Sequence, residues 1–580
     1  MRPFFKISLF LPVLFFLMGT PALAQKKPVV PAHHRELLSG GSIEIEVDLG
    51  SLAPGPSSPT RTEQPSQVGP NIRVNDPQQP FPKGLLGRSE TTIAASADGL
   101  FLVAGFNDAQ GFCGPPFGVH CAPEKPPGLS GFAFSNDGGL TWTDGGAPDP
   151  RRFNKVFTRG DPWLDRGGLD NATLFYANLA VDAITAAPLG ISVHRGHFSD
   201  STFNWEDVRV LAPSNPNDFF DKEAVTAAKD GSGAGYVSYT NFIALPCPAF
   251  PNTFGAFGQI EVFRTHDGGD TYQRPVIVSA DKTNADPADP NCGNTGVLQQ
   301  SSAPAIGPTG EVYVAWQLGP TFTSTGVSTD AKIVVARSLD GGVTFGAPVA
   351  VASINSMRQN SPVGYNRNRI NDHPRITVAT SGSFKGRVYA VFYSAVSPVT
   401  AASVVDCPAG LPSTAVCIDQ NLDSSQVFIS FSDDQGLTWT TPAPITSPVP
   451  DTGVKRWWPV VNVGPDGSVN VVYYESQETD TASNPECIKG VGGGMFRVGT
   501  ANSLVDTFWV QSVDGGSSFA TPVRVTTATS NWCTTVSNIR PNFGDYIGST
   551  TSTTGGNKIL PVWADGRNGV PDTFFAAILP

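Results

Sequence analysis

From residue 88 onward the chain is a succession of short apolar runs, each ended by a turn carrying Gly or Asp. Phe101-Leu-Val103, Ile333-Val-Val335, Val388-Tyr-Ala-Val391 and Val471-Val-Tyr473 are typical. Runs this short, rich in β-branched and aromatic residues and bounded by turn formers, predict β-strands. No stretch carries a sustained helical period with caps. The runs group into a recurring unit: a polar or Pro-containing entry, a short apolar strand, a Gly-bearing turn and a stronger aromatic strand. Seven entries are recognisable, at Arg88-Ser-Glu90, Asp161-Pro-Trp163, Asp221-Lys-Glu223, Ala303-Pro304, Asp372-His-Pro374, Trp457-Trp-Pro459 and Asp545-Tyr546.

A second repeat lies between these entries. Ser135-Asn-Asp137-Gly-Gly139-Leu-Thr141-Trp142 recurs as Thr265–Tyr272, Ser338–Phe345, Ser432–Trp439 and Ser512–Phe519. Each copy is a hairpin corner, in which the Asp accepts turn N–H groups, Gly supplies positive φ and an aromatic opens the returning strand. The gap from Asp137 to Asp267 is 130 residues, whereas the later gaps are 73, 94 and 80. A hairpin is therefore hidden there, and Ile191-Ser-Val193 followed by a turn and Trp205 is its degenerate copy. Repeats at this spacing predict an all-β propeller of four-stranded blades. Seven blades are favoured, with six as the alternative. The seventh unit has room for only three strands, so an N-terminal strand closes the ring and removes the exposed edges. Ile72–Val74 is the predicted closing strand and Ile43–Leu49 the alternative. This topology puts the Asp turns on one face and the long Cys-bearing loops on the other, around the expected channel mouth.

Composition agrees with this reading, with 61 Gly, 51 Pro and 15% charged residues in 580. The start of the chain has a different character. Arg2 and Lys6 precede an apolar run, Ile7–Met18, and Ala22-Leu23-Ala24, which reads as a signal peptide cleaved after Ala24. The predicted organisation is a signal peptide at 1–24, a Pro/Ser-rich lead-in at 25–70 and one propeller at 71–580. The product is secreted or periplasmic, with no transmembrane segment once the signal is removed. Removing Arg2 and Lys6 takes the formal charge from −12 to −14, and no basic stripe exists, so nucleic acid is excluded as an expected partner. Eight cysteines in an exported chain point to disulfides. Pairing of sequence neighbours, one of 105 connectivities, would join Cys113–Cys121, Cys247–Cys292, Cys407–Cys417 and Cys487–Cys533.

The Asp-turn repeat resembles the Asp-box of the sialidase (neuraminidase) superfamily, over roughly residues 85–580. That resemblance implies an exo-acting glycoside hydrolase on acidic, sialic-acid-like glycans. In the family a Tyr nucleophile activated by a Glu works with an Asp acid/base, and arginines grip the sugar carboxylate. A neutral Tyr avoids a like-charge clash with that carboxylate, and guanidinium forks bind it best. The resemblance places the nucleophile at Tyr546, in Gly544-Asp-Tyr546-Ile-Gly-Ser549, and its partner at Glu223. The acid/base falls on Asp108 and the first arginine on Arg88. The second family arginine is replaced by Tyr239-Thr240-Asn241, leaving Arg456 and Arg540 as further candidates. Trp163 stands where it can stack on a sugar face.

Structural roles are open to the same residues: an ion pair for Arg88, a core position for Tyr546, a turn cap for Asp108 and a charge cluster for Asp221 and Glu223. Asp161, Asp221, Asp372 and Asp545 converge on the channel. They are oxygen ligands of the kind a structural calcium takes, or are neutralised by Arg375 and Arg456. No other cofactor is implied, and His194-x-x-His197 lacks a third zinc ligand. Two functions follow as expectations: a sialidase-like hydrolase, and a non-catalytic propeller binding glycan or protein at its channel mouth.

Overall fold

The computed structural model describes residues 67–580 apart from 81–83, 113–124, 280–295, most of 400–422 and 480–501, and a few shorter gaps. The signal peptide, most of the lead-in and the alternative closing strand Ile43–Leu49 lie outside the described residues.

Seven antiparallel sheets surround one axis. From the inside outward, blade 1 is Arg88–Ala95, Leu102–Asp108, Ser130–Ser135 and Thr143–Gly146. Blade 2 runs Trp163–Gly167, Thr173–Asp182, Pro188–Ser199 and Thr202–Leu211, and blade 3 starts at Phe219–Ala227. The inner strands of blades 4 to 7 are Gly296–Ile306, Arg375–Val378, Val454–Val463 and Gly548–Thr551. Each inner strand touches the next, and that of blade 7 touches that of blade 1, so the ring is closed. The closing strand is the predicted one. Ile72 and Arg73 pair with Phe575 and Phe574, completing blade 7 outside Asp572–Phe575. The hidden hairpin is present as well: Pro188–Ser199 pairs with Thr202–Leu211 across a two-residue turn.

The apolar core lies in layers between neighbouring blades. Phe175 and Val193 of blade 2 pack with Val237 and Phe263 of blade 3, and Leu102 and Phe106 of blade 1 with Val562 and Phe575 of blade 7. A blade is covered on both faces, so its middle strands are buried at every residue, as in Val388–Ala395. Each fully buried Val, Leu or Phe contributes about 1.5–3 kcal/mol. Unforeseen by the hydrophobic pattern is a small sheet joining loops of blades 5 and 6, in which Val416–Asp419 pairs in parallel with Met495–Val498.

The five Asp turns join the third and fourth strands. In each, the Asp carboxylate accepts from its own turn, as where Thr271 N (3.0 Å) and Thr271 Oγ1 (2.6 Å) donate to Asp267. These donors hold the Asp267 carboxyl down at about 2, against the opposing effect of partial burial. The turns also clasp adjacent blades. Arg195 of blade 2 donates to Gly268 O (2.8 Å) of blade 3, Arg264 of blade 3 to Gly342 O (2.8 Å) of blade 4, and Arg387 of blade 5 to Gly515 O (2.8 Å) of blade 6. Gly139, at φ 89°, lies against Phe575 so closely that a Cβ would fall 2.1 Å from the ring. Only glycine fits there.

Cys487 and Cys533 form a disulfide between the loop of blade 6 and the link to blade 7, as sequence-neighbour pairing predicts. The other three expected pairs involve residues outside those whose side chains are described.

Candidate functional site: the central channel

Inner strands carry a bulge at a common level. Pairing shifts between Ser89 and Thr92, Asp221 and Ala224, Gln300 and Ala303, and Trp457 and Val460. At the same level Glu90, Asp161, Lys222, Ser301 and Trp458 adopt φ between 46° and 66°. Left-handed backbone at a non-glycine residue costs of order 1 kcal/mol or more and re-aims the side chain. At three of these positions the re-aimed groups are charged and meet on the axis. Lys222 Nζ lies 2.8 Å from Glu90 Oε1, 2.8 Å from Asp545 Oδ2 and 3.4 Å from Asp161 Oδ1. Arg367 forms the second cationic contact to Asp545. The three carboxylates are fully buried and Lys222 is 3% exposed.

Burial and the neighbouring charges push the carboxylates of this cluster in opposite directions. Burial, reinforced by the Asp161 charge, pushes Glu90 well above the usual carboxylate range. Arg367 and Lys222 overcome burial at Asp545 and hold it well below that range. Three carboxylates, Glu90, Asp161 and Asp545, are thus packed around two cations, Lys222 and Arg367. Such a cluster tolerates burial only while every member keeps its partner.

One end of the channel is closed above this cluster. The connection 356–374, between blades 4 and 5, reaches across to blades 6 and 7. Tyr365 donates to Gly544 O (2.7 Å), Asn542 Nδ2 to Gly364 O (2.9 Å) and Val363 N to Glu478 Oε1 (3.0 Å). Arg367 of the same segment enters the cluster.

Below the cluster the channel is crossed by three side chains from the entries of blades 2, 5 and 7. The Arg375 guanidinium lies 4.2 Å from the centre of the Trp163 ring and 5.2 Å from that of Tyr546, and the two rings are 5.5 Å apart. These residues floor a cavity of about 530 Å³ that extends along the inner strands to their far ends, where Lys229, Asp230 and Lys385 form its exposed rim. That rim is on the Asp-turn face, shown by the adjacency of the two kinds of turn: Gly138 N donates to Leu100 O and Gly268 N to Gly233 O. The described cavity therefore lies opposite the face on which the loops and cysteines placed the expected mouth.

The predicted site residues are distributed over these features. Tyr546 is buried, donates its hydroxyl to Pro162 O (2.8 Å), and is pushed well above the usual phenol range by burial and by Glu90, Asp161 and Glu223. Glu223 is buried with neither carboxyl oxygen hydrogen-bonded among the described residues, and burial followed by Asp161 raises it strongly. Trp163 joins Tyr546 on the cavity floor. Asp108 and Arg88 pair with each other instead, at 2.8 Å, with Asp144 at 4.0 Å from Arg88. Burial lifts Asp108 to about 6 although Arg88 opposes the shift. Arg456 is held by Glu475 (2.6 Å) and Thr446 (2.6 Å), and Arg540 stands half-buried before the cis bond to Pro541. Asp221 accepts from Gln300 (2.7 Å), and Asp372 from Met357 N (2.9 Å) and Gln317 (3.2 Å). Among the described residues no three His, Cys, Asp or Glu side chains are grouped to hold a metal ion.

Arg375 as a floor residue, and Glu90 and Arg367 as cluster members, were not anticipated. A signal for Arg375 existed: matching Pro374 of the blade 5 entry to Pro162 of the blade 2 entry puts Arg375 at the place of Trp163.

No family model and no curated protein matches the chain. Among solved structures, the Hadza microbial sialidase Hz136 is similar at 13% identity, over 80% of this chain and 75% of that one, with a TM-score of 0.38. The Penicillium chrysogenum α-L-arabinanase complexed with arabinobiose matches at 13% identity, over 75% and 97%, with a TM-score of 0.39. A family PL25 ulvan lyase matches at 10% identity, over 84% and 94%, with a TM-score of 0.42.

Proposed function

We propose that this is an exported binding propeller that takes glycan into its central channel from the Asp-turn face. One observation carries the reading: the cavity of about 530 Å³ is closed at its inner end by Trp163, Arg375 and Tyr546. Its size falls within the usual range for small-ligand sites, and a partly exposed Trp on the floor suits stacking against a sugar ring. The side chains that hydrolysis would need are already committed, since Tyr546 donates to Pro162 and Asp108 is locked to Arg88. Binding of the purified protein to a panel of immobilised neutral and acidic glycans tests this. Specific retention that Trp163→Ala abolishes supports it, and the absence of retention across the panel rejects it.

The sialidase-like hydrolase is the second reading, favoured by the buried Glu223 carboxyl, which makes no hydrogen bond among the described residues and could take a proton. Release of fluorophore from α-sialosides by the wild type, lost in Tyr546→Phe, would establish it in place of the first.

A further inference from the structure

We propose that the floor of this cavity is an oxyanion site, with Arg375 binding the carboxylate or sulfate of an acidic glycan. The inference rests on the glycan reading above and names the class of ligand. Arg375 is 6% exposed, yet no acidic side chain among the described residues lies within ion-pair distance of it. Its contacts are the faces of Trp163 and Tyr546, which supply π density but no full negative charge.

Of the neighbouring carboxylates, Glu223 makes no ion pair among the described residues and the others are held by other cations. Asp161 and Asp545 are held by Lys222 and Arg367, and Asp165 at the rim is engaged by Lys229. Arg375 therefore brings one uncompensated positive charge to a cavity floor. A buried guanidinium is costly unless an anion completes it, and its planar fork matches a carboxylate or sulfate with two parallel hydrogen bonds. The two rings then fix the plane of the guanidinium and offer an apolar wall to the sugar that carries the anion. Neither the predicted Arg88 nor Arg456 has this property, because each is already paired with an acid.

Calorimetric titration with galacturonate, glucose 6-sulfate, neutral galactose and inorganic sulfate tests the site. The expected result is that both acidic sugars bind more tightly than galactose. Arg375→Gln should weaken them by about tenfold or more, while Arg375→Lys, which keeps the charge but loses the fork, falls between. A preference for galacturonate identifies a carboxylate ligand, and one for glucose 6-sulfate a sulfated ligand. If Arg375→Gln fails to fold, wild-type protein still decides, since inorganic sulfate should displace the acidic sugars and leave galactose binding unchanged. Sulfate bound through Arg375 with no sugar bound would retain the anion site and reject the glycan reading. Equal binding of acidic and neutral sugars, or acid binding indifferent to Arg375→Gln or to sulfate, would overturn the proposal.

Discussion

Lys222, on the inner strand of blade 3, places its Nζ 2.8 Å from Asp545 at the entry of blade 7. The contact spans the channel axis, so it joins parts of the ring that share no strand pairing. Local geometry makes it possible: φ of 52° at Lys222 turns the side chain to the axis, where Glu90 and Asp161 meet it.

Replacing Lys222 by Met should be severe. It removes the ammonium contact from Asp545, which keeps Arg367, and from Asp161 and Glu90. Breaking one partner of a buried ionic cluster costs about 3–5 kcal/mol. Urea unfolding at pH 7 measures it, and Lys222→Met combined with Asp545→Asn should recover part of the loss. Full additivity of the two substitutions would disprove the coupling.

Glu223 gives a pH-dependent prediction with a defined sign. Its folded-state pKa is raised, chiefly by burial and then by Asp161. The contribution of this group to stability is thus fully present below the ordinary glutamate range and is lost as pH rises toward the folded value. Glu223→Gln removes the ionisation. The variant should gain stability relative to wild type at pH 7 and lose that advantage near pH 4. Equal differences at the two pH values, by chemical denaturation, would contradict the assignment.

The Asp turns should behave as interblade clasps. Asp267→Ala removes the acceptor for Thr271 N and Thr271 Oγ1, and so loosens the loop whose Gly268 carbonyl takes Arg195 of blade 2. Hydrogen exchange at the Gly269 and Thr271 amides should quicken and Tm should fall, with the glycan retention of the channel preserved. Loss of retention would instead place the turn in the binding site.

Cys487 and Cys533 are separated by 46 residues. Closing a loop of that length restricts the unfolded chain by about 4 kcal/mol in the chain-entropy model. Cys533→Ser should therefore lower the unfolding midpoint by a corresponding amount. Under reducing conditions wild type and Cys533→Ser should converge, and an unchanged midpoint in oxidised Cys533→Ser would reject the link.

Blade number, the hidden hairpin and the closing strand at Ile72 were legible in the sequence because they rest on local rules. Strand alternation, Asp-x-Gly turn chemistry and the need to remove an exposed edge all act within a few residues or recur at fixed spacing. Tyr546 and Trp163 were recognisable on similar grounds as entry residues of their blades, whereas the catalytic role expected of Tyr546 came from the family resemblance. The partnership of Arg88 with Asp108 was not, because the family pattern suggests a ligand for one and a catalytic proton for the other. The cross-strand register sets them side by side.

The amino-acid sequence by itself thus determined that this protein is a propeller with Asp turns on one face, seven blades being favoured over six. Only the tertiary structure decided that one end of the channel is sealed by Tyr365, Arg367 and the Lys222 cluster, and that the cavity lies toward the other. The physical reason is the difference in range. A turn or a strand answers to its own few residues, whereas a buried charge is settled by partners that folding brings from blades hundreds of residues apart. Lys222 and Asp545 meet on those terms, and Arg375, which no acid among the described residues reaches, is left against the rings of Trp163 and Tyr546.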